Sequence, residues 1–209
     1  MAVDLRSSLG PIRDQGTRPT CLAFAASSVH EQARRRTDPL SVEALFLNSK
    51  RRDGWGLGRG TTVPAVLEAL ADDGQCDERM WPYGGPEPML FPGDYQRARP
   101  DTRVDTPALL LDVARRALDA GRVAVLVVYV TAPWFMVRSD GVIRVPHPSD
   151  PPLEPHAVVI AGYDDSTSTL LIRNSWSTDW GVGGYGFLPY PHVEHYGLEV
   201  FTLTSIVGP

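Results

Sequence analysis

The stretch QGTRPTCLAFAASSVHEQARRR, Gln15 to Arg36, decides the fold because it places a cysteine where a helix should begin. After Thr20 the apolar positions recur at helical spacing, and no glycine or proline interrupts them. Thr20 is the expected N-cap, which puts Cys21 on the first turn. Unpaired backbone N–H groups and the helix dipole favour negative charge at that position, so we expect the thiol to lean toward thiolate.

The composition of the 209 residues is that of a globular protein, with 43% apolar and 22% charged residues. The net charge of −5 argues against a nucleic-acid partner, and no apolar window reaches the length of a membrane span. Two cysteines, Cys21 and Cys76, cannot form a disulfide framework, so we expect a reducing, cytoplasmic location. The scattered histidines show no ligand spacing, and we therefore expect no cofactor and no metal.

Capping and stop signals predict four helices in the first half of the chain. They begin after Thr20, Ser41, Thr62 and Thr106 and end near Arg36, Arg51, Gly74 and Gly121. Residues 76–103 are rich in proline, which predicts a surface loop with one short helical turn near Asp94–Ala98. We expect Cys76 to pack at the end of the third helix.

Beyond Gly121 the apolar period changes from about 3.6 residues to about 2, which predicts strands. The predicted strands are Val123–Val130, Gly141–Val145, Ala157–Tyr163, Thr169–Arg173, Gly184–Leu188 and Leu198–Ile206. Helices followed by strands are typical of the α+β class, here with two lobes that face each other across a groove. We expect a helical lobe over about 13–104 and a β lobe over about 105–209 that also includes residues 1–12.

A nucleophilic thiol needs a base that works near neutral pH, and an imidazole is such a base. Among the five histidines, His156 directly precedes the apolar strand AVVIAGYD, so its ring would project from a rigid sheet edge. Asn174 follows the strand at 170–172, and antiparallel pairing of that strand with residues 157–163 would bring Asn174 beside His156. The amide oxygen of Asn174 can accept the imidazole N–H and fix the tautomer.

Three further groups complete the expected site. Trp176 would cover the hydrogen bond between histidine and asparagine and exclude water from it. The backbone N–H of Cys21 and the side-chain amide of Gln15 are candidate donors to a developing oxyanion. Each assignment has an ordinary alternative when taken singly: a buried structural cysteine, a surface histidine, an asparagine that caps Ser175 in a turn, or a core tryptophan.

The phrases PIRDQG, TCLAFAA, LSVEALF, GLGRG, ALADDG, WPY, HAVVIAGYD and IRNSWSTDWGVGGYG together resemble the papain-like cysteine proteases, in the same order and over nearly the whole chain. The resemblance implies a single catalytic domain over residues 1–209, with a helical N-terminal lobe, an antiparallel sheet or barrel as the C-terminal lobe, and the active site in the groove between them. It implies that Cys21 is the nucleophile, His156 the general base and acid, and Asn174 the orienting residue. Gln15 is then the oxyanion donor, with Trp176 in support.

The chain departs from the family pattern near the nucleophile. Arg18-Pro19-Thr20 stands where members often carry a cysteine, a glycine and a serine, and Leu22 stands where an aromatic residue is usual. The first change removes a family disulfide, and the second alters the packing that shapes the subsites. The chain also begins almost at its catalytic segment, whereas secreted members are made with an inhibitory prosegment. We therefore expect an intracellular, bacterial-type member without a prosegment or the usual disulfides.

The expected function is that of a cysteine-type peptidase, which hydrolyses polypeptide or peptide substrates through a Cys-His-Asn triad and an acyl-enzyme. Two alternatives remain open: an acyl-transferring ligase or transpeptidase, and a non-catalytic peptide-binding scaffold of the same fold. Without a prosegment, restraint would come from a regulatory protein partner, narrow specificity or a closed groove. A segment that occludes one end of the groove is expected, if present, within Pro146–Pro155.

Overall fold

The computed structural model describes residues 2–56, 58–89, 93–137, 139–145, 147 and 151–206. The helices in this part of the chain are α1 (Cys21–Ala33), α2 (Val42–Asp53), α3 (Val63–Asp72), α4 (Pro107–Asp119) and α5 (Tyr190–Tyr196). The strands are β1 (Ala2–Asp4), β2 (Arg97–Val104), β3 (Ala124–Tyr129), β4 (Pro155–Asp164), β5 (Thr169–Arg173), β6 (Tyr185–Pro189) and β7 (Gly197–Ile206). Two short 3₁₀ helices span Arg6–Ser8 and Ala132–Met136.

One antiparallel sheet holds the seven described strands, in the order β2-β7-β3-β4-β5-β6, with β1 paired to β4. The first strand fits only because residue 162 is glycine. A Cβ atom at Gly162 would lie 2.2 Å from the carbonyl oxygen of Val3, so any larger residue would push β1 away. Helices packed on a single antiparallel sheet confirm the predicted α+β class.

Both faces of the central strands are covered, which explains their nearly continuous apolar sequence. Val125 of β3 and Val159 of β4 face the cluster that includes α1, α2 and α3. Their neighbours Leu126 and Ile160 face the opposite cluster, with residues of α4 and α5. Each such side chain contributes about 1.5–3 kcal/mol when fully buried, so the sheet is anchored to helices on both sides.

Helix α1 lies inside the protein, and every residue from Leu22 to Glu31 is buried. Alanine and serine occupy much of this length, and their small side chains let the sheet and the neighbouring helices approach closely. Alanine also has the highest helix propensity, so the same residues favour the helix itself. The first residue, Cys21, is only half-buried and lies at the edge of the core cluster.

The predicted helix starts are confirmed, but the caps differ. Ser41 and Thr62 accept hydrogen bonds from the backbone N–H groups of Ala44 and Ala65, as capping requires. Thr20 occupies the N-cap position of α1, yet its side chain makes no capping hydrogen bond. The hydroxyl of Thr20 bonds instead to Tyr83.

Two predictions about the chain between the helices are wrong. The expected helical turn at 94–98 is absent, because Gln96 bridges Gln75 and β2 begins at Arg97. The expected strand at 141–145 is reduced to one bridge between Val142 and Phe187. Strand β1 and helix α5 were not predicted.

The residue bounds of the two lobes stay a prediction, although β2 lies in the sheet while the predicted helical lobe extends to residue 104. Pro146 and residues 148–150 of the expected occluding segment lie outside the described residues. Among the described helices, none has the length and apolar character that crossing a membrane requires.

Candidate active site

A cleft of about 610 Å³ opens where the start of α1, the loop at 55–63 and the start of β4 meet. Cys21 and His156 both line this cleft, one from each half of the chain. Cys21 is the first residue of α1, and His156 is the second residue of β4, so both side chains are held by regular backbone structure. The structure thus brings the predicted nucleophile and the predicted base to one surface.

The imidazole of His156 is oriented by Asn174. Nε2 of His156 lies 2.8 Å from Oδ1 of Asn174, and antiparallel pairing of β4 with β5 brings the two residues together, as the sequence predicted. Oδ1 also accepts the backbone N–H of Ser175 at 2.8 Å, which fixes the orientation of the amide. Because Oδ1 can only accept, the proton of the neutral ring is on Nε2, and Nδ1 is left as the basic nitrogen.

Two aromatic rings contact this histidine, and a third stacks on one of them. The ring of Trp176 lies 4.7 Å from that of His156, centroid to centroid, as expected of the covering residue. Trp134 meets His156 edge-on at 6.1 Å, and Phe135 stacks on Trp176 at 5.3 Å. No sequence pattern points to Trp134 or Phe135, since both belong to a short 3₁₀ helix without periodicity. Only 5% of His156 is exposed, so its hydrogen bond to asparagine is shielded from water.

The side-chain amide of Gln15 is fixed at both ends. Its Nε2 donates to the carbonyl oxygen of Arg18 at 2.9 Å, and its Oε1 accepts from the hydroxyl of Ser175 at 2.7 Å. One of the two Nε2 hydrogens is used in this way, and the other has no hydrogen-bond partner among the described residues. The backbone N–H of Gln15 also donates to the carbonyl oxygen of Ser175 at 2.9 Å. Ser175, which was not predicted, therefore links Gln15 to Asn174.

Opposing effects act on the pKa of the Cys21 thiol. Burial raises its pKa, backbone hydrogen bonds from Ala157 and Leu22 lower it again, and the carboxylate of Glu154 adds to the increase. Desolvation is the largest of these effects, because a thiolate at the cleft wall loses hydration. The backbone hydrogen bonds act in the direction that the sequence predicted, and the desolvation that opposes them depends on the assembled cleft. The thiolate itself stays a prediction.

Burial also disfavours the charged form of the base, His156. It lowers the pKa of His156 to about 4, while the hydrogen bond to Asn174 and the charge of Glu154 oppose the decrease. Burial thus disfavours both charged forms, the thiolate of Cys21 and the imidazolium of His156. Transfer of the proton from sulfur to Nδ1 creates both charges together, and their attraction offsets part of the desolvation that disfavours either charge alone.

The remaining candidate groups lie elsewhere. Cys76 is fully buried against Ala44 and Trp81, and burial raises its pKa. His30 is buried on α1, where it hydrogen-bonds Gln75 at 2.9 Å. Neither Cys76 nor His30 is among the described residues that line the cleft.

Comparison with known sequences identifies the family. The sequence model of the papain family of cysteine proteases matches residues 1–203. The chain therefore belongs to the papain family.

Two relatives illustrate the range of the match. The chain is 25% identical to an uncharacterized peptidase C1-like protein of Acanthamoeba polyphaga mimivirus, over 99% of this chain and 73% of that protein. It is 29% identical to cathepsin J of Mus musculus, over 90% of this chain and 59% of cathepsin J. The chain thus spans about three fifths of the length of the cathepsin.

Solved structures show the same fold. Xylellain, a cysteine protease from Xylella fastidiosa, superposes with a TM-score of 0.81 at 21% identity, over 99% of this chain and 86% of xylellain. A cysteine protease of Carica candamarcensis superposes with a TM-score of 0.70 at 21% identity, over 100% of this chain and 99% of the other. The papain-like two-lobed fold expected from the sequence is confirmed.

Proposed function

We propose that this chain is a cysteine-type peptidase that hydrolyses peptide bonds through an acyl-enzyme on Cys21. The observation that carries the proposal is the shared cleft of Cys21 and His156, together with the 2.8 Å hydrogen bond from His156 to Asn174. A thiol, a basic nitrogen and a group that orients that nitrogen are the parts that nucleophilic acyl transfer requires. Family membership supports the same reaction class.

The first half of the reaction forms a thioester. Sγ of Cys21 attacks the carbonyl carbon of the peptide while its proton passes to Nδ1 of His156. The carbon–nitrogen bond then breaks, and the imidazolium returns the proton to the leaving amine. Asn174 keeps the ring in one orientation during both transfers, because its Oδ1 holds the Nε2 proton.

The second half consumes water. Nδ1 of His156 takes a proton from water, whose oxygen attacks the thioester carbon. The carbon–sulfur bond breaks, and Cys21 regains the proton from the imidazolium as the acid is released. In both halves the carbonyl oxygen becomes an oxyanion, for which the N–H of Cys21 and the free Nε2 hydrogen of Gln15 are the proposed donors.

The proposed location is a reducing compartment such as the cytoplasm, and the proposed control is a regulatory protein partner. The location is supported by the cysteine content, because both cysteines are free. The partner stays a prediction from the sequence.

Cleavage of a peptide library tests the function. The wild-type chain should cleave, and Cys21→Ala should lose cleavage by at least about 10³-fold, because the nucleophile is absent. Cys76→Ala is the matched control, since it removes the buried sulfur and leaves the cleft intact. Mass spectrometry of the products identifies the reaction.

Three results would count against the proposal. Equal cleavage by wild type and Cys21→Ala would exclude the thiol as nucleophile. Products that join the acyl part to an added amine, in place of free acids, would identify a ligase or transpeptidase. Peptide binding without any turnover would identify a scaffold.

A further inference from the structure

The hydroxyl of Tyr83 bonds to both segments that carry the proposed oxyanion donors. Its oxygen lies 2.8 Å from the carbonyl oxygen of Gln15 and 2.7 Å from Oγ1 of Thr20. Gln15 carries the amide donor, and Thr20 directly precedes Cys21, whose N–H is the second donor. A single side chain thus contacts the backbone segment of each donor, although Tyr83 is not among the described residues that line the cleft.

Proton counting gives the direction of both hydrogen bonds. The carbonyl oxygen of Gln15 can only accept, so the one hydroxyl proton of Tyr83 goes to it. Thr20 must then donate to the Tyr83 oxygen, and the other acceptor near its hydroxyl, the carbonyl of Arg18, is 3.5 Å away. The order from Thr20 through Tyr83 to Gln15 satisfies every group in this chain of hydrogen bonds.

This arrangement also explains the missing cap of α1. The backbone of Thr20 has φ −109° and ψ 11°, outside the extended region from which an N-cap side chain reaches back to the helix. Its hydroxyl contacts Tyr83 in place of the helix. The first N–H groups of α1, including that of Cys21, therefore have no side-chain cap.

The ring of Tyr83 is itself held firmly. The ring of Phe24 meets it edge-on at 4.8 Å between centroids, and the guanidinium of Arg18 lies 4.8 Å from its centroid. Arg18 in turn pairs with the buried carboxylate of Glu43. The backbone N–H of Tyr83 donates to Glu78 at 2.8 Å. The hydroxyl is thus placed by contacts on the ring and on the backbone.

We propose that Tyr83 is a positioning residue for the oxyanion donors. Its two hydrogen bonds fix the separation of the Gln15 segment from the first turn of α1, and so align the Gln15 amide and the Cys21 N–H toward the same oxygen. This proposal rests on the proposed peptidase function. It requires no contact between Tyr83 and the substrate.

Tyr83→Phe tests the proposal because it removes the hydroxyl and keeps the ring. The kcat should fall about tenfold with little change in KM, which is less than the ~100-fold loss that follows removal of a donor itself. The affinity for a peptide aldehyde should fall by a similar factor, because the oxygen of its hemithioacetal occupies the oxyanion position. Alkylation of Cys21 by iodoacetamide should keep its wild-type rate, since that reaction forms no oxyanion.

Two further variants make the test specific. Tyr163→Phe removes a hydroxyl that bonds to Asp119 at 2.7 Å, away from the cleft, and should leave aldehyde affinity unchanged. Thr20→Val interrupts the same hydrogen bonds from the other end and should reproduce the defects of Tyr83→Phe. The double variant should be little worse than either single variant, because both remove one shared interaction.

The outcomes distinguish a failure of this proposal from a failure of the proposed peptidase function. Wild-type kcat and aldehyde affinity in a folded Tyr83→Phe would overturn the role of Tyr83, and so would an equal loss of the alkylation rate. If Tyr83→Phe does not fold, Thr20→Val decides by the same two measurements. A wild-type chain that neither cleaves peptides nor binds the aldehyde would overturn the peptidase function, and this proposal with it.

Discussion

Glu154 lines the same cleft as Cys21 and His156, and its side chain is exposed. Its carboxylate raises the pKa of both groups, because a nearby negative charge disfavours the thiolate and favours the imidazolium. The two groups that transfer the proton therefore respond to one charge in the same direction.

Glu154→Gln should move both limbs of the pH profile of kcat/KM to lower pH. The reason is that loss of the carboxylate lowers the pKa of Cys21 and of His156 together, so the order of their ionisation does not alter the sign. Kinetics on a peptide substrate across the pH range measure the shift. Glu68→Gln, on the exposed side of α3, is the control and should leave the profile in place. Limbs that stay fixed or move to higher pH in Glu154→Gln would contradict this electrostatic account.

The side-chain amide of Asn174 keeps its orientation although one of its polar atoms is left unpaired. Its Nδ2 is buried and has no hydrogen-bond partner among the described residues. Rotation of the amide by about 180° would exchange the positions of Nδ2 and Oδ1. The Nδ2 donor would then face two other donors, the N–H of Ser175 and the Nε2–H of His156. Two hydrogen bonds to Oδ1 outweigh one unsatisfied donor, since each unpaired buried group costs about 1–3 kcal/mol.

At the scale of the element, α1 carries the nucleophile at one end and a buried ionisable pair near the other. Burial lowers the pKa of His30 to about 4, and it raises the pKa of the adjacent Glu31 to about 7. Histidine has an ordinary pKa of about 6.5, so between pH 6.5 and 4 the unfolded chain binds a proton that folded His30 does not. The contribution of His30 to stability is therefore complete above pH 6.5 and is lost as the pH falls toward 4.

His30→Gln should flatten the dependence of the unfolding free energy on pH in this window. The steepest part should lose up to about 1.4 kcal/mol per pH unit, which corresponds to one proton. Glu31 acts in the opposite direction between pH 4.5 and 7, and it is present in both chains, so the difference between them isolates His30. Urea denaturation at several pH values measures the effect, with the same replacement at the exposed His195 as control. An unchanged slope in His30→Gln would contradict a neutral buried histidine.

The elements that the sequence predicted well have a strong internal signal. Helices α2 and α3 have side-chain caps, and β5 is a fully buried strand with an apolar centre, found at the predicted residues Thr169–Arg173. Strand β2 has no such signal, because it is an edge strand whose side chains are mostly exposed and charged. Its place depends on backbone pairing with β7, which no local pattern reveals.

At the scale of the whole molecule, the site is assembled from distant parts of the chain. Individual residue types and their local contexts were enough to select Cys21, His156, Asn174 and Gln15. The hydrogen bond from Ser175 to Gln15 joins residues 160 positions apart, and the one from Tyr83 to Gln15 joins residues 68 positions apart. Such links depend on how the helices dock on the sheet, so the sequence alone could not predict them.

The docking of α1 on the sheet also changes the pKa values of the site residues. The sequence placed Cys21 at a helix N-terminus, where a thiolate is favoured, but it could not show how much hydration the cleft removes. That desolvation is a property of the assembled molecule, and here it is the largest effect on the pKa of both Cys21 and His156.

Cys21 and His156 are proposed to act together on an acyl group. Intact mass measurement of the chain tests this step. The folded chain is mixed with an excess of an activated peptide ester, quenched in acid within its first turnovers, and weighed before and after digestion. We expect a mass increase of one acyl group, located on Cys21, absent from Cys21→Ala and formed more slowly in His156→Ala. Ester turnover with no acyl group on Cys21, or with the group on another residue, would contradict it.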